Sequence, residues 1–119
     1  MYATAKALDS AGLELKDMGA IEINEAFAAQ VLACRRAMES ADFCKQHLGL
    51  KGALGDLDPE RTNPNGGAIA LGHPVGATGA RLLLTAAHEL AEGDHEFTLA
   101  TLCIGGGQGG AVVLERVVA

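Results

Sequence analysis

Residues 96 to 115 read Glu-Phe-Thr-Leu-Ala-Thr-Leu-Cys-Ile-Gly-Gly-Gly-Gln-Gly-Gly-Ala-Val-Val-Leu-Glu. Over residues 96 to 102, Phe97, Leu99 and Thr101 fall on one side and Thr98, Ala100 and Leu102 on the other. Both sides are largely apolar, the pattern of a central strand covered on both faces. A glycine turn follows, and Ala111 to Glu115 supplies a last strand. So short a turn joins antiparallel neighbours and never parallel ones. The end of the chain is therefore read as a central strand with an antiparallel return.

Upstream of that hairpin the periodicity changes. A helix is expected from about Pro74 to Leu90, with Val75, Leu82, Leu83, Ala86 and Leu90 on its buried face. Proline suits a first helical turn because its missing N–H has no partner there anyway. Residues 61 to 65 are expected to form a brief strand, at a sheet edge because Pro64 cannot donate to a ladder. Residues 39 to 62 carry Gly49, Gly52, Gly55 and an Asp-Leu-Asp-Pro run, which breaks periodicity and predicts a variable surface excursion. At its start, Glu39 to Leu48 either extends the preceding helix or forms one of its own. That preceding helix is predicted from near Glu25, with Phe27, Val31, Cys34 and Met38 as one apolar stripe and Asn24 as its N-cap. Ala20 to Ile23 alternates as a short strand, and the Ala-rich residues 2 to 11 predict a first helix stopped by Gly12. The sum is an α/β layered domain with a mixed sheet whose last strand runs antiparallel.

Composition narrows the function. The chain has 119 residues, enough for one domain with a modest core. Aromatics make up 3% and the net charge is −6, which argues against nucleic-acid binding by base stacking or by a basic face. No apolar run reaches the ~18 residues of a membrane span, and the first residues carry no secretory signal pattern. Three cysteines at wide spacing do not make a disulfide framework, which predicts a reducing, cytoplasmic setting. Glycine, 16 of 119 residues, is about twice its usual share of roughly 7%. Most of it lies in two segments, Asn65 to Arg81 and Cys103 to Gly110.

Those two segments and Asn24 to Ala28 hold the residues able to carry chemistry. His73 precedes Pro74 at the expected mouth of a helix, where free N–H groups gather. It is either a cap or surface histidine, or a group that takes a proton from a thiol and donates to an oxyanion. Cys103 closes the central strand and opens three glycines. It is either a strand-end cysteine before a tight turn, or a thiol activated by nearby backbone donors. Asn24 caps a helix or orients a water or a carbonyl. Glu25 is a base or a first-turn carboxylate favoured by the helix dipole. Arg81 is a surface or ion-pair residue without an assigned role. Cys34 reads as core, and Cys44, His47, His88 and His95 have no supporting context. The glycines give neither a phosphate-loop ending nor the Gly-x-Gly-x-x-Gly spacing, and no Cys or His pair has zinc-ligand spacing, so no metal site is expected.

In this order and detail, Asn24 to Ala28, Asn65 to Arg81 and Cys103 to Gly109 resemble the C-terminal domain of thiolases, the family of acetyl-CoA acetyltransferase and 3-ketoacyl-CoA thiolase. The resemblance covers nearly the whole chain apart from residues 39 to 62. It implies an α/β/α domain and acyl transfer between acyl-CoA and CoA, that is, reversible Claisen condensation or thiolysis in lipid metabolism. Coenzyme A thioesters would be substrates, with no separate cofactor, in a homo-oligomeric enzyme. By resemblance, His73 activates a nucleophilic cysteine and then helps hold a thioester oxygen. Cys103 exchanges a proton with the substrate α-carbon or the CoA sulfur. Asn24 fixes a water in one oxyanion hole, and the Gly105 N–H contributes to a second. The Cys-Gly-Ser-Gly-like motif of the family's nucleophile is absent, as is the CoA-binding loop region. The first central strand of the domain is expected to be missing, leaving an unpartnered neighbour. The chain is accordingly expected to be a fragment, a split-enzyme subunit or a truncated product that needs an N-terminal half. The competing readings are a non-catalytic thiolase-fold domain that binds acyl-CoA or mediates assembly, and a related condensing or lipid-transfer-associated thiolase.

Overall fold

A computed structural model describes residues 1–117. The first helix, α1 (Tyr2–Ala11), ends where Gly12 turns left-handed at φ 70, the stop its sequence position predicts. A 3₁₀ turn, Leu15–Asp17, leads into strand β1 (Met18–Ile23). Helix α2 (Ala28–Glu39) follows, then a single turn α3 (Ala41–Phe43) and a π-helical turn over Cys44–Leu48. The short α4 (Ala68–Leu71) precedes α5 (Thr78–Glu92), and strands β2 (Phe97–Gly105) and β3 (Gln108–Glu115) close the fold.

The sheet order is β1-β2-β3, with β2 parallel to β1 and antiparallel to β3. The central, doubly covered strand is therefore β2, and Leu99 and Ala100 are both buried on its opposite faces. Gly106 and Gly107 form the two-residue turn between β2 and β3, both at positive φ (59 and 73), the geometry that matches hairpin twist.

Helices α1 and α2 cover one face, where Leu8, Ile21, Ile23, Met38, Leu57 and Leu99 form the larger core. Helix α5 covers the other face with Leu82 and Ala86 against Ala100. This is the layered α/β/α arrangement with a mixed sheet and an antiparallel last strand. β1 pairs directly with β2, and on its other side Ile21 exchanges backbone hydrogen bonds with Arg61 and Asn63. The expected unpartnered neighbour is thus not found: β1 has a partner on each side. The brief strand expected over 61 to 65 is reduced to one parallel bridge, Ile21 to Thr62, at the sheet edge.

Three other expectations change. Asn24 does not cap α2. It prolongs β1, its N–H donating to Thr101 O, and α2 begins after Phe27. Phe27 is 75% exposed and so leaves the stripe, while Met38 is fully buried. The 39–62 excursion is more than surface, because Cys44 and Leu57 are buried and the Cys44 thiol donates to Ala37 O at 3.3 Å.

Candidate active site

The parallel strands β1 and β2 end on the same edge of the sheet, and the candidate residues gather there. Asn24 is fully buried, directly after β1. Its Nδ2 faces His73 Nε2 in a long contact of 3.4 Å. His73 does not open a helix. Pro74 O accepts from the N–H groups of Ala77 and Thr78, so residues 74 to 77 form a turn and α5 starts at Thr78. The turn brings His73 Nδ1 to 2.6 Å from Thr78 Oγ1.

These contacts assign the imidazole proton. The Thr78 hydroxyl has one hydrogen and donates it to Pro74 O at 3.1 Å. Donating there, it accepts from His73, and Nδ1 then carries the proton. Nε2 then presents its lone pair to Asn24 Nδ2, a group that only donates. A neutral imidazole held in this tautomer is ready to take a proton at Nε2, and once protonated it can donate from the same atom.

Beneath this pair lies a buried charge. Glu22 shares the α5 face of β1 with Asn24 and is fully buried. Its Oε2 stands 3.4 Å from Arg81 Nη1 on α5, one turn beyond Thr78. Burial pushes the Glu22 carboxyl up to about 7, while Arg81 pulls the other way and Glu89 and Glu25 add to the rise. Glu22 Oε1, Arg81 Nη2 and Asn24 Oδ1 have no hydrogen-bond partner among the described residues. A glutamate inside the otherwise apolar run Ala20 to Ile23 was the one available hint of this pair, since such a charge needs a cation nearby.

Cys103 and Gly105 lie at the end of β2. Cys103 is exposed, and Gly105 sits at φ 95, a conformation that only glycine holds without strain. Strand alternation puts Cys103 on the side of Leu99 and Thr101, where Thr4 of α1 bonds Thr101. There it opens on a groove of about 340 Å³ lined also by Met1, Ile23, Gln30 and Cys34. Asn24 and His73 reach the sheet edge from the α5 side. The structure thus brings Asn24 and His73 into contact and sets Cys103 and Gly105 on the neighbouring strand end, with no hydrogen bond between Cys103 and His73 among the described residues. Among those residues no three His, Cys, Asp or Glu side chains are grouped to hold a metal ion.

The model of the thiolase C-terminal domain matches residues 1–116. The chain belongs to the thiolase family. It is 52% identical to an acetyl-CoA acetyltransferase of Escherichia coli over 115 residues, which is 97% of this chain and 25% of that protein. A beta-ketoadipyl-CoA thiolase of Acinetobacter baylyi is 49% identical over 97% of the chain and 25% of its own length. A 3-ketoacyl-CoA thiolase of Aliivibrio fischeri is 46% identical over 96% of the chain and 26% of its own length. This thiolase chain therefore spans about a quarter of the length of the curated relatives it matches. Among its described residues no helix is long and apolar enough to cross a membrane.

Proposed function

We propose that the chain acts as the C-terminal portion of a thiolase, transferring an acyl group between acyl-CoA and CoA, with the nucleophilic cysteine supplied by an N-terminal half outside these 119 residues. In thiolysis, His73 Nε2 takes the proton of that cysteine, and the thiolate attacks the 3-keto carbon of a 3-ketoacyl-CoA. The C2–C3 bond breaks, its electron pair stays on C2 as the acetyl-CoA enolate, and the Cys103 thiol protonates C2. The Cys103 thiolate then takes the proton of an incoming CoA. The CoA sulfur attacks the acyl-enzyme thioester, and the released cysteine thiolate recovers its proton from His73. Protons and electrons balance, and the reverse sequence is Claisen condensation.

Both carbonyl oxygens that gain charge need donors fixed in advance. His73 Nε2–H and a water held by the buried Asn24 would serve one, and the Gly105 N–H the other. The observation that carries this reading is the Asn24–His73–Thr78 chain, which leaves Nε2 as the basic atom at the sheet edge. The chemistry runs on side chains and the CoA thioester, without a resident cofactor. We place it in a reducing, cytoplasmic compartment, in keeping with three free cysteines, and in a homo-oligomeric enzyme.

The test is complementation. The chain alone should leave acetoacetyl-CoA uncleaved, and addition of an N-terminal thiolase half should restore cleavage. His73→Ala and Cys103→Ala should each abolish the restored activity. Turnover by the unaided chain, or restored activity that survives both substitutions, overturns the proposal. A second reading, an assembly domain without turnover, draws on the exposed Phe27, Ile69, Leu71 and Val75, each within a few residues of Asn24 or His73 along the chain. It predicts binding of the N-terminal half with no cleavage.

A further inference from the structure

Glu25 follows Asn24 directly, yet its carboxylate turns away from α2 toward the loop that leads to His73. Oε1 accepts from Asn63 Nδ2 at 3.2 Å, and Oε2 accepts from Ile69 N at 3.0 Å. Both oxygens are thus engaged by donors of this loop, an arrangement that holds a segment in place rather than one that moves a proton.

Two neighbours are shaped to this carboxylate. Asn63 is the one described residue other than glycine at positive φ, 47. Its side chain substitutes for backbone at the edge of β1: Ile23 N donates to Oδ1 at 2.9 Å, and Nδ2 donates to Ile23 O at 3.0 Å. Gly67 has φ −108 and ψ −166, a conformation open to any residue. A Cβ there, however, would lie 2.3 Å from Glu25 Cδ, so a side chain at this position would push the carboxylate out of its place although the backbone would accept it. The segment from Asn63 to Ile69 is wrapped around one side chain, and His73 comes four residues later.

We propose that Glu25, Asn63 and Gly67 form a clamp that fixes His73 against Asn24, which makes Glu25 a positioning residue of the site. Its role in turnover rests on the acyl-transfer reading above. Its structural content does not, because the contact it sets can be read without catalysis.

The experiment uses nuclear magnetic resonance on the 119-residue chain, labelled with ¹⁵N at histidine and asparagine. In the wild-type chain at alkaline pH, His73 should show the Nδ1-protonated tautomer and cross-peaks between its ring and the Asn24 side-chain amide. In Glu25→Ala those cross-peaks vanish and the ring nitrogens average toward a mixture of tautomers. Gly67→Ala gives the same result, and adding it to Glu25→Ala changes nothing further, since the methyl then meets no carboxylate. Glu25→Gln, the variant least disturbing to folding, keeps one acceptor but turns a donor toward Asn63 or Ile69, and should weaken the cross-peaks partially.

In the complemented enzyme Glu25→Ala should lower kcat by about 10²-fold, the scale expected for a misplacement of about 1 Å, with KM little changed. Folded variants that keep the wild-type cross-peaks and tautomer overturn the clamp. Variants that lose them in a chain whose wild-type form cannot be complemented support the clamp and count against the acyl-transfer reading alone.

Discussion

His73 is defined by what grips its two nitrogens, and that can be tested one residue at a time. Thr78 is 1% exposed and accepts the Nδ1 proton while donating to Pro74 O. Thr78→Val preserves shape and removes both bonds, leaving the ring N–H without its partner while Pro74 O keeps the N–H groups of Ala77 and Thr78. The expected loss of stability is about 1–3 kcal/mol, checked by urea unfolding, and the ¹⁵N spectrum should lose its Nδ1-protonated signature. Thr78→Ser should restore both, and a Thr78→Val spectrum like wild type would contradict the tautomer assignment. Glu22 makes a prediction about pH. Its carboxyl is raised from 4.5 to about 7, so the folded state holds this proton more tightly than the unfolded chain does. The stability it contributes is full below pH 4.5 and is lost as pH rises through about 7, by roughly 3 kcal/mol in total. Unfolding free energies measured across that window should fall for wild type, while Glu22→Gln should flatten this part of the curve. An equal slope in the variant would place the titration elsewhere.

Among the elements, the sequence gives away those whose signal is local and loses those set by contacts from afar. Helix α1 and its Gly12 stop, and the hairpin of β2 and β3, follow from helix propensity, strand alternation and glycine turns within a few residues. The four-residue α4 was missed because so short a segment has no periodicity. It is held by Glu25, 44 residues away in sequence. The start of α5 was placed four residues early, since Pro74 satisfies the rule for a first helical turn as well as it satisfies the turn it actually makes. The error carries an energetic consequence. Leu82 is 1% exposed at the centre of the α5 face, whereas Val75, expected on that face, is 81% exposed. Leu82→Ala should therefore cost about 2–5 kcal/mol and Val75→Ala within about 0.5 kcal/mol, as read from denaturant midpoints. Similar losses at the two positions would mean that the helix runs through Pro74 after all.

For the molecule as a whole, sequence motifs single out candidate residues without showing how the layers arrange them. Asn24, His73, Cys103 and Gly105 stand out in the sequence by their motifs; the structure puts Asn24 beside His73 and sets Cys103 and Gly105 at the end of β2, and their roles are those proposed above. What no motif shows is that these residues approach the sheet edge from opposite layers, or that the buried Glu22 pairs with a half-buried Arg81 and the buried Thr78 bonds His73, because both facts depend on which strand faces which helix. The surface around the edge adds a further constraint. Phe27, Ile69, Leu71 and Val75, exposed by 60% or more, lie within a few residues of Asn24 or His73 along the chain. Exposed apolar side chains in the segments that carry a polar site are expected where another polypeptide covers it. The proposed N-terminal half would have to seat its cysteine within reach of His73 Nε2, and doing so would cover this surface. Amide hydrogen exchange should then show Leu99 and Ala100 of the buried β2 as slow with or without the half. The amides of Phe27 to Ala29 and of His73, Val75 and Gly76 should be fast in the free chain and slow by about tenfold or more on complementation. Protection appearing instead along the outer edge of β3, with residues 69 to 77 unchanged, would mean that the two parts join away from His73, and the acyl-transfer mechanism would lose its geometry.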